Sequence, residues 1–226
     1  MFTVTTSEAE INAHTDRVRV PDLRCGLAQC PKCRGVPGGF HFHERRRRSF
    51  RLIVDGLVRI VASLLARWRC PLCRQTFTEY PSFALPRKRY VRGHVFAFAD
   101  RYLEDDRQSY RRAARGDDGS GFGYPCDPGA ISARQLDFTT VWRWTGFAGG
   151  LNGLRRHVAR LVREKDPASG LFREVRPVPS RKYRSPVRRG LLLNGLRLFA
   201  ADREYRRLFG FTIFPTICNT RLLLAG

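Results

Sequence analysis

The sequence predicts an α+β protein with a small β unit first and a mostly helical region after it. From Phe40 to Val61, apolar and β-branched residues alternate or form short runs, a pattern typical of strands. Beyond Pro86, apolar residues recur at helical spacing instead. The first such set is Val91, Val95, Phe98 and Tyr102.

Shifts in composition divide the chain into a flexible N-terminus, a β domain, a helical domain, a basic linker, and a C-terminal helix with a tail. A glycine-rich stretch inside the helical domain is typical of an inserted loop. It lacks the Gly-Lys-Ser/Thr ending of a phosphate-binding loop. In order, the segments span residues 1–24, 25–86, 87–165 with the loop at 116–129, 166–188, and 189–226.

The β domain is centred on Asp55-Gly56, which lies between two β-branched runs. Asp-Gly favours a two-residue hairpin turn because both positions need positive φ. We expect the four arginines at 45–48 at a strand end or in a loop, and a third strand at 64–69. Phe77 is expected to pack back on the hairpin. The predicted pairs are Val54 with Leu57, Leu52 with Arg59 and Phe50 with Val61.

Two Cys-x-x-Cys turns flank this hairpin. A hairpin that brings them together places four thiolates around one point, the ligand set of a tetrahedral zinc ion. The 36 residues between the turns exceed the compact spacing, and a long hairpin absorbs the difference. We therefore expect one structural Zn²⁺ ion, with no open position for chemistry. Its predicted ligands are Cys30, Cys33, Cys70 and Cys73, with Cys25, His41 and His43 as alternatives for one ligand.

Arg34 and Arg74 each follow the second cysteine of a turn, where glycine is common. This difference predicts a less favourable turn geometry and leaves the identity of the ligands unchanged. Cys126 and Cys218 have no partner at metal-binding spacing.

Helical periodicity predicts four elements beyond Pro86. They are a helix from Tyr90 to Glu104, a short basic helix from Tyr110 to Arg115 capped by Asp106, a helix after Leu151, and a last helix running toward Phe209.

Between these elements lies the pattern of a helix-turn-helix: a short helix at 131–136, a break at Asp137-Phe138, and a helix capped by Thr139 that ends near Gly149-Gly150. On the second helix, Val141 and Trp144 fall toward the core. Thr140, Trp142 and Arg143 point outward, where Arg143 could read a guanine edge in the major groove.

The charge balance favours a polyanionic partner. Lys+Arg number 42 and Asp+Glu 20, a net charge of +22. Nucleic acid is the first expectation and an anionic membrane surface the second. The predicted DNA-binding residues are Thr139, Thr140, Trp142, Arg143, Arg134, Arg45, Arg46, Arg47, Arg48, Arg87, Lys88, Arg89, Arg111 and Arg112.

The sequence carries no secretory signal and no apolar window long enough to span a membrane, so we expect a cytoplasmic protein. The carboxylates of Asp100, Glu104, Asp105 and Asp106 lie at a helix end, where capping and charge balance account for them. Metal-dependent strand transfer needs carboxylates converging within an α/β core. We therefore expect no enzymatic activity from this chain.

Four motifs together resemble the N-terminal zinc-ribbon and helix-turn-helix region of bacterial insertion-sequence transposases, and of uncharacterised actinobacterial proteins that travel with them. They are the two Cys-Pro-x-Cys turns, the Asp55-Gly56 hairpin, the stretch from Tyr80 to Pro86, and the Thr139–Trp144 string. The resemblance covers roughly residues 25–154.

The resemblance implies binding of transposon-end or operator DNA in the bacterial cytoplasm, at the nucleoid. The acidic catalytic domain of a complete transposase is not recognised here. We therefore expect an accessory subunit or regulator of transposition, with catalysis by a separate protein. A zinc-ribbon RNA-binding or ribonucleoprotein assembly factor is the alternative, followed by a nuclease or recombinase with an unrecognised site. Oligomerisation through the last helix stays open.

Overall fold

The structure is a computed structural model that describes residues 6–115, 136–171, 173, 175–178 and 185–213. Within these residues, six helices and one three-stranded antiparallel sheet confirm the α+β prediction. The elements are α1 (Glu8–Arg19), β1 (His41–Val54), β2 (Leu57–Arg69), β3 (Thr76–Thr78), α2 (Arg92–Glu104), α3 (Tyr110–Ala113), α4 (Phe138–Gly150), α5 (Asn152–Lys165) and α6 (Pro186–Phe209).

The hairpin turns at Asp55 and Gly56, whose φ values are 50° and 74°. All three predicted pairs are confirmed, as is the packing of Phe77, which pairs with Trp68 through β3. Two expectations were wrong. β2 runs unbroken to Arg69, and the arginines at 45–48 lie in the middle of β1. The side chains of Arg45 and Arg48 donate to backbone carbonyl groups beside the sheet, and Arg46 pairs with Glu44.

The N-terminal segment, predicted to be irregular and flexible, is helical from Glu8 to Arg19. Ser7 caps this helix, accepting a hydrogen bond from Glu10 N (3.1 Å). The buried side of α1 mixes apolar and polar residues, so no clear apolar period marks it in the sequence. Its buried residues are Ile11, His14, Thr15 and Val18.

Polar contacts fix α1 on β2. His14 Nε2 donates to the Leu64 carbonyl oxygen (3.1 Å), and Thr15 shares a hydrogen bond with the Ser63 hydroxyl (2.8 Å). Burial, reinforced by the neighbouring Arg17, lowers the pKa of His14 to about 4. The ring is therefore neutral at physiological pH, which suits a buried donor to a carbonyl group.

The end of the hairpin is joined to the helical region by backbone pairing. Arg51 N donates to Arg89 O (2.9 Å), and Val91 N donates to Arg51 O (3.2 Å). One turn further, His94 Nε2 accepts from Ile53 N (2.9 Å). Burial lowers the pKa of His94 to about 4, so this nitrogen keeps its lone pair for the backbone donor.

Helices α2, α4, α5 and α6 surround a shared apolar core. Trp144 of α4 lies at its centre, edge-on to Tyr90 (4.9 Å between ring centroids) and to Phe98 (5.6 Å). The sequence predicted α2, α5 and α6 at these positions. Among the described residues, no helix combines the length and apolar character needed to cross a lipid bilayer.

Both predicted helix caps were wrong by a few residues. Ser109, not Asp106, caps α3 and accepts from Arg112 N (3.1 Å). Asp137, not Thr139, caps α4 and accepts from Thr139 N (2.6 Å). In both cases the capping side chain is the one immediately before the first helical residue, where it can reach the unpaired N–H groups.

The basic linker was predicted to end at residue 188, but Ser185 caps α6 and the helix begins at Pro186.

Several other predictions fall wholly or partly outside the described residues. The first helix of the predicted helix-turn-helix lies outside the described residues except for Leu136. The loop at 116–129, Arg134, the tail from 214, Cys126 and Cys218 also lie outside.

Gly149 allows α4 to approach α6 closely. A Cβ atom at this position would overlap the backbone carbonyl group of Leu191 and lie 2.7 Å from its carbon. Gly195 of α6 faces the same crossing, and its own Cβ would lie 2.9 Å from Leu103. The glycine that the sequence marks only as a helix end therefore also sets the spacing between two core helices.

Replacing Gly149 by Ala should destabilise the protein by about 1–3 kcal/mol or more, because backbone atoms must move apart. Gly150→Ala is the matched control, since a Cβ there meets nothing within 4 Å. It should change the free energy of unfolding by less than about 1 kcal/mol. Chemical denaturation of both variants measures the difference. Equal stability of the two would contradict this helix crossing.

Asp100 is a carboxyl group buried between α2 and α6, with 4% of its surface exposed. Its Oδ1 lies 3.4 Å from Arg203 Nη1, and the Glu104 and Asp202 carboxylates are close enough to interact with it. Burial, together with Glu104, raises the pKa of Asp100 from 3.8 to about 7 despite the opposing effect of Arg203. The folded state therefore favours the protonated form.

Because the folded protein holds this proton after the unfolded chain has lost it, ionisation of Asp100 should cost stability as the pH rises from 3.8 to about 7. The slope from this group is at most about 1.4 kcal/mol per pH unit. Asp100→Asn should flatten the dependence over this range and raise the free energy of unfolding above pH 7. Denaturation curves at a series of pH values test this. An unchanged slope would rule out the assignment.

Candidate metal centre and basic surfaces

The two Cys-x-x-Cys turns have the same backbone structure. In the first turn, Arg34 N donates to Cys30 O and Cys30 N donates to Gly35 O, both at 2.9 Å. In the second turn, Arg74 N donates to Cys70 O (2.9 Å) and Cys70 N donates to Gln75 O (3.0 Å). The hydrogen bonds therefore join the same relative positions in both turns.

The four sulfur atoms of these turns form one cluster. Cys30 Sγ lies 3.8 Å from Cys73 Sγ, and Cys33 Sγ lies 3.9 Å from Cys70 Sγ. All four lie within 4.8 Å of one another. A tetrahedral ion with metal–sulfur bonds of about 2.3 Å separates its ligands by about 3.8 Å. The sulfurs are too far apart for disulfides, and their arrangement fits a metal ion.

Arg34 and Arg74 adopt the left-handed conformation that glycine usually supplies, with φ values of 64° and 58°. The two turns therefore have similar geometry although neither contains glycine at this position. A side chain in this region costs about 1–2 kcal/mol. Metal binding by the cysteines is an interaction that can offset this cost.

An aromatic and polar layer supports the cluster. Phe40 and Phe77 meet edge-on at 5.0 Å between centroids, beside the buried Trp68. Glu79 accepts hydrogen bonds from Trp68 Nε1 (2.8 Å) and from Gly26 N (3.2 Å). Its carboxylate therefore ties the segment before the first turn to β2, next to the second turn.

The alternative ligands are not part of this cluster. Cys25 packs in the neighbouring apolar group, and burial raises the pKa of its thiol to about 12. His41 and His43 are exposed on β1. Among the described residues, the group that could hold a metal ion consists of the four predicted cysteines.

The arginines of β1 differ in what they contact. Arg45 Nε donates to Val18 O (2.7 Å) and its Nη2 to Val20 O (2.9 Å), at the C-terminal end of α1. Arg48 Nη2 donates to Leu85 O (3.0 Å) and to the Lys88 carbonyl oxygen. Both guanidinium groups thus satisfy backbone carbonyls and hold neighbouring segments against the sheet.

The other two arginines of this run face solvent more freely. Arg46 pairs with Glu44 (2.8 Å). The side chain of Arg47 is exposed, and its guanidinium group makes no hydrogen bond or ion pair to another described residue. Of the four predicted DNA contacts in β1, Arg47 is the one whose charge is most available to a ligand.

The face of α4 follows the predicted division. Val141 and Trp144 are buried, whereas Trp142 is 47% exposed and Arg143 is exposed. Thr139 and Thr140 are half-buried at the start of the helix. Lys88 lies close enough to Arg143 for their charges to interact. Burial is the larger cause, and the Arg143 charge the smaller one, of a lowered Lys88 pKa.

The remaining predicted contacts that the structure describes lie on the loop before α2 and on α3. Arg87 and Arg89 are exposed on the loop before α2, and Arg112 is exposed on α3. The guanidinium carbon of Arg111 lies 5.2 Å from the Phe138 ring centroid, and Lys88 Nζ lies 4.5 Å from that of Phe147.

Arg188 also belongs to this surface, although it is not among the DNA-binding residues predicted from the sequence. Its guanidinium carbon lies 5.2 Å from the Trp142 ring centroid and 5.6 Å from that of Tyr110, whose hydroxyl accepts a hydrogen bond from it. Arg188 lies in the first turn of α6, 46 residues after Trp142. In the sequence, Arg188 is marked only as one of two consecutive arginines at 188–189. Two consecutive arginines do not indicate which helix they contact.

Comparison with models of known protein families, with curated proteins and with solved structures finds no match.

Cys33→Ser should abolish stoichiometric metal binding, because it removes one of the four sulfurs that would hold the ion. Cys33 is exposed, so its replacement should change the packing of the protein little. The matched control, Cys25→Ser, should retain one metal ion per chain. Native mass spectrometry of both proteins measures the stoichiometry. Full metal content in the Cys33 variant would show that this cysteine is not a ligand.

Proposed function

We propose that this protein is a zinc-binding, sequence-specific DNA-binding protein. The observation that supports this best is the exposed face of α4, where Arg143 is accompanied by Lys88, Arg111 and Arg188 from neighbouring elements. The opposite face of the helix is anchored in the helical core by Val141 and Trp144. A rigid helix that presents Arg143 beside further cations suits insertion into a major groove. The net charge of +22 supplies the attraction to phosphates.

Zinc is the metal proposed for the four-cysteine cluster. Four thiolates at tetrahedral spacing are the usual ligand set of structural zinc, and they leave no position for a reactive water. The proposed ion holds the open end of the hairpin together. Its effect on function is indirect, through the stability of the sheet against which α1 packs.

Two kinds of DNA contact follow from the positions of the cations. Arg143, exposed on the second turn of α4, is the candidate for bidentate hydrogen bonds to a guanine. Arg47 on β1 and Arg111 on α3 are candidates for phosphate contacts, which position the protein without reading sequence. Thr140 lies nearer the start of α4, where a phosphate can approach the helix N-terminus.

The biological setting proposed is a mobile element. The resemblance to transposase N-terminal regions suggests that the target is element-end or operator DNA. In this proposal the chain acts as an accessory subunit or regulator, and a separate catalytic protein performs strand transfer.

Selection from a random duplex library with zinc-loaded protein tests the function. We expect an enriched motif, and an affinity for it that falls steeply with salt. Equal binding to all duplexes would overturn sequence-specific recognition. Tighter binding to structured RNA than to any duplex would favour the ribonucleoprotein alternative instead.

Arg143→Ala and Arg47→Ala separate base reading from phosphate attraction. Loss of Arg143 should reduce the preference for the selected site over random duplex by about tenfold, since one bidentate base contact contributes roughly 1–3 kcal/mol. Loss of Arg47 should weaken both affinities equally and reduce the salt slope by about one. Fluorescence anisotropy titrations on both duplexes measure these effects. An Arg143 variant with unchanged specificity would exclude this residue from base recognition.

A further inference from the structure

We propose that Phe138 and Trp142 form a stacking surface for unpaired bases, so that the α4 face binds single-stranded or locally unpaired DNA. This inference rests on the proposed function and deepens it. It identifies a form of DNA that a helix reading an intact major groove would not require.

The two aromatic rings stand one helical turn apart on the outer side of α4. Phe138 is 40% exposed and Trp142 is 47% exposed, whereas Trp144 of the same helix is 3% exposed. Positions four residues apart lie on one face of a helix. A tryptophan exposed to this degree leaves much of its ring uncovered, at an energetic cost that a ligand can recover.

Cations from two other helices accompany these rings. Arg111 of α3 lies over Phe138, and Arg188 of α6 lies over Trp142, each at 5.2 Å from the ring centroid. Arg188 is held in place, because it donates to the Tyr110 hydroxyl and to Trp142 O (3.4 Å). The Arg188 guanidinium group is therefore in position before any ligand binds.

Tyr110 is itself fixed by stacking. Its ring lies parallel to that of Tyr102, with 4.0 Å between centroids and 10° between planes. Tyr102 is buried in the helical core. A continuous series of flat groups thus runs from the core outward to Trp142: a tyrosine, a second tyrosine, a guanidinium and an indole.

The chemistry of this surface identifies its ligand class. Exposed aromatic rings alone would suit many apolar partners, but here Arg111, Arg143 and Arg188 surround them with positive charge. The neighbouring carboxylate, Asp137, is occupied as the cap of α4. Flat rings beside cations suit a ligand with aromatic planes and anionic links, which is a nucleic acid strand.

The bases of that strand must be unpaired. In an intact duplex, each base is stacked on its neighbours and its flat faces are covered. Only an extruded or single-stranded base can present a face to Trp142. Stacking of this kind contributes about 1–3 kcal/mol per base.

The test uses the natural fluorescence of the protein. The chain has three tryptophans, and Trp68 and Trp144 are buried at 1% and 3% exposure. Quenching by a bound base therefore reports on Trp142. The probe is an oligothymidylate of about 12 nucleotides, whose bases stack weakly on each other, and the comparison is a duplex of the same length.

We expect the oligothymidylate to quench the tryptophan fluorescence and Trp142→Ala to weaken its binding by about tenfold. Trp142→Phe, which keeps a flat ring, should retain most of the affinity. For Trp142→Ala, the affinity for the duplex should fall by less than the affinity for the oligothymidylate. Thermal unfolding of each variant verifies that the fold is intact.

Absence of quenching, or equal losses on the single strand and the duplex after Trp142→Ala, would overturn the stacking surface. Duplex binding that persists in either case leaves the proposed function standing, so the two failures are distinguishable. Failure of the wild-type protein to bind either probe would overturn both.

Discussion

The pairing of β1 with β2 is the constraint on which the rest of the structure depends. The ladder runs from the Asp55-Gly56 turn to the pair His41 with Arg69, where Cys70 follows directly. It thereby returns the chain to within reach of the first cysteine turn. Because the four sulfurs meet at the open end of this hairpin, a bound metal ion and the strand ladder stabilise each other. The opposite end of the hairpin meets α2 through Arg51 and Ile53. One extended element therefore connects the candidate metal centre with the helices.

The arginines of this protein lie in two different environments. Arg45 and Arg48 bind backbone carbonyls and fasten α1 and the loop before α2 to the sheet. Their contribution is structural, and it resembles that of a polar side chain that satisfies a buried carbonyl group. Around α4, by contrast, Arg111, Arg143 and Arg188 lie beside exposed rings and at the surface. A count of basic residues gives both groups the same weight, although the first satisfies internal carbonyl groups and the second lies beside exposed aromatic rings.

The hairpin register and the clustering of four cysteines could be predicted because both depend on local sequence: a turn pair that needs positive φ, and two short spacings around it. The helix α1 could not, because its buried side includes His14 and Thr15, whose partners on β2 are about 50 residues away. The role of Arg45 depends on a carbonyl group 27 residues earlier, and Arg188 reaches a tryptophan from another helix. Such pairings arise only when the chain is folded, so no local pattern records them.

The two cysteine turns are proposed to bind one metal ion through four sulfur atoms. X-ray absorption spectroscopy of the zinc-loaded protein at the zinc edge identifies the atoms bound to the metal. Coordination by the four cysteines should give a single shell of four sulfur scatterers at about 2.3 Å. A shell that includes nitrogen or oxygen scatterers at about 2.0–2.1 Å, as histidine or water would give, would contradict it.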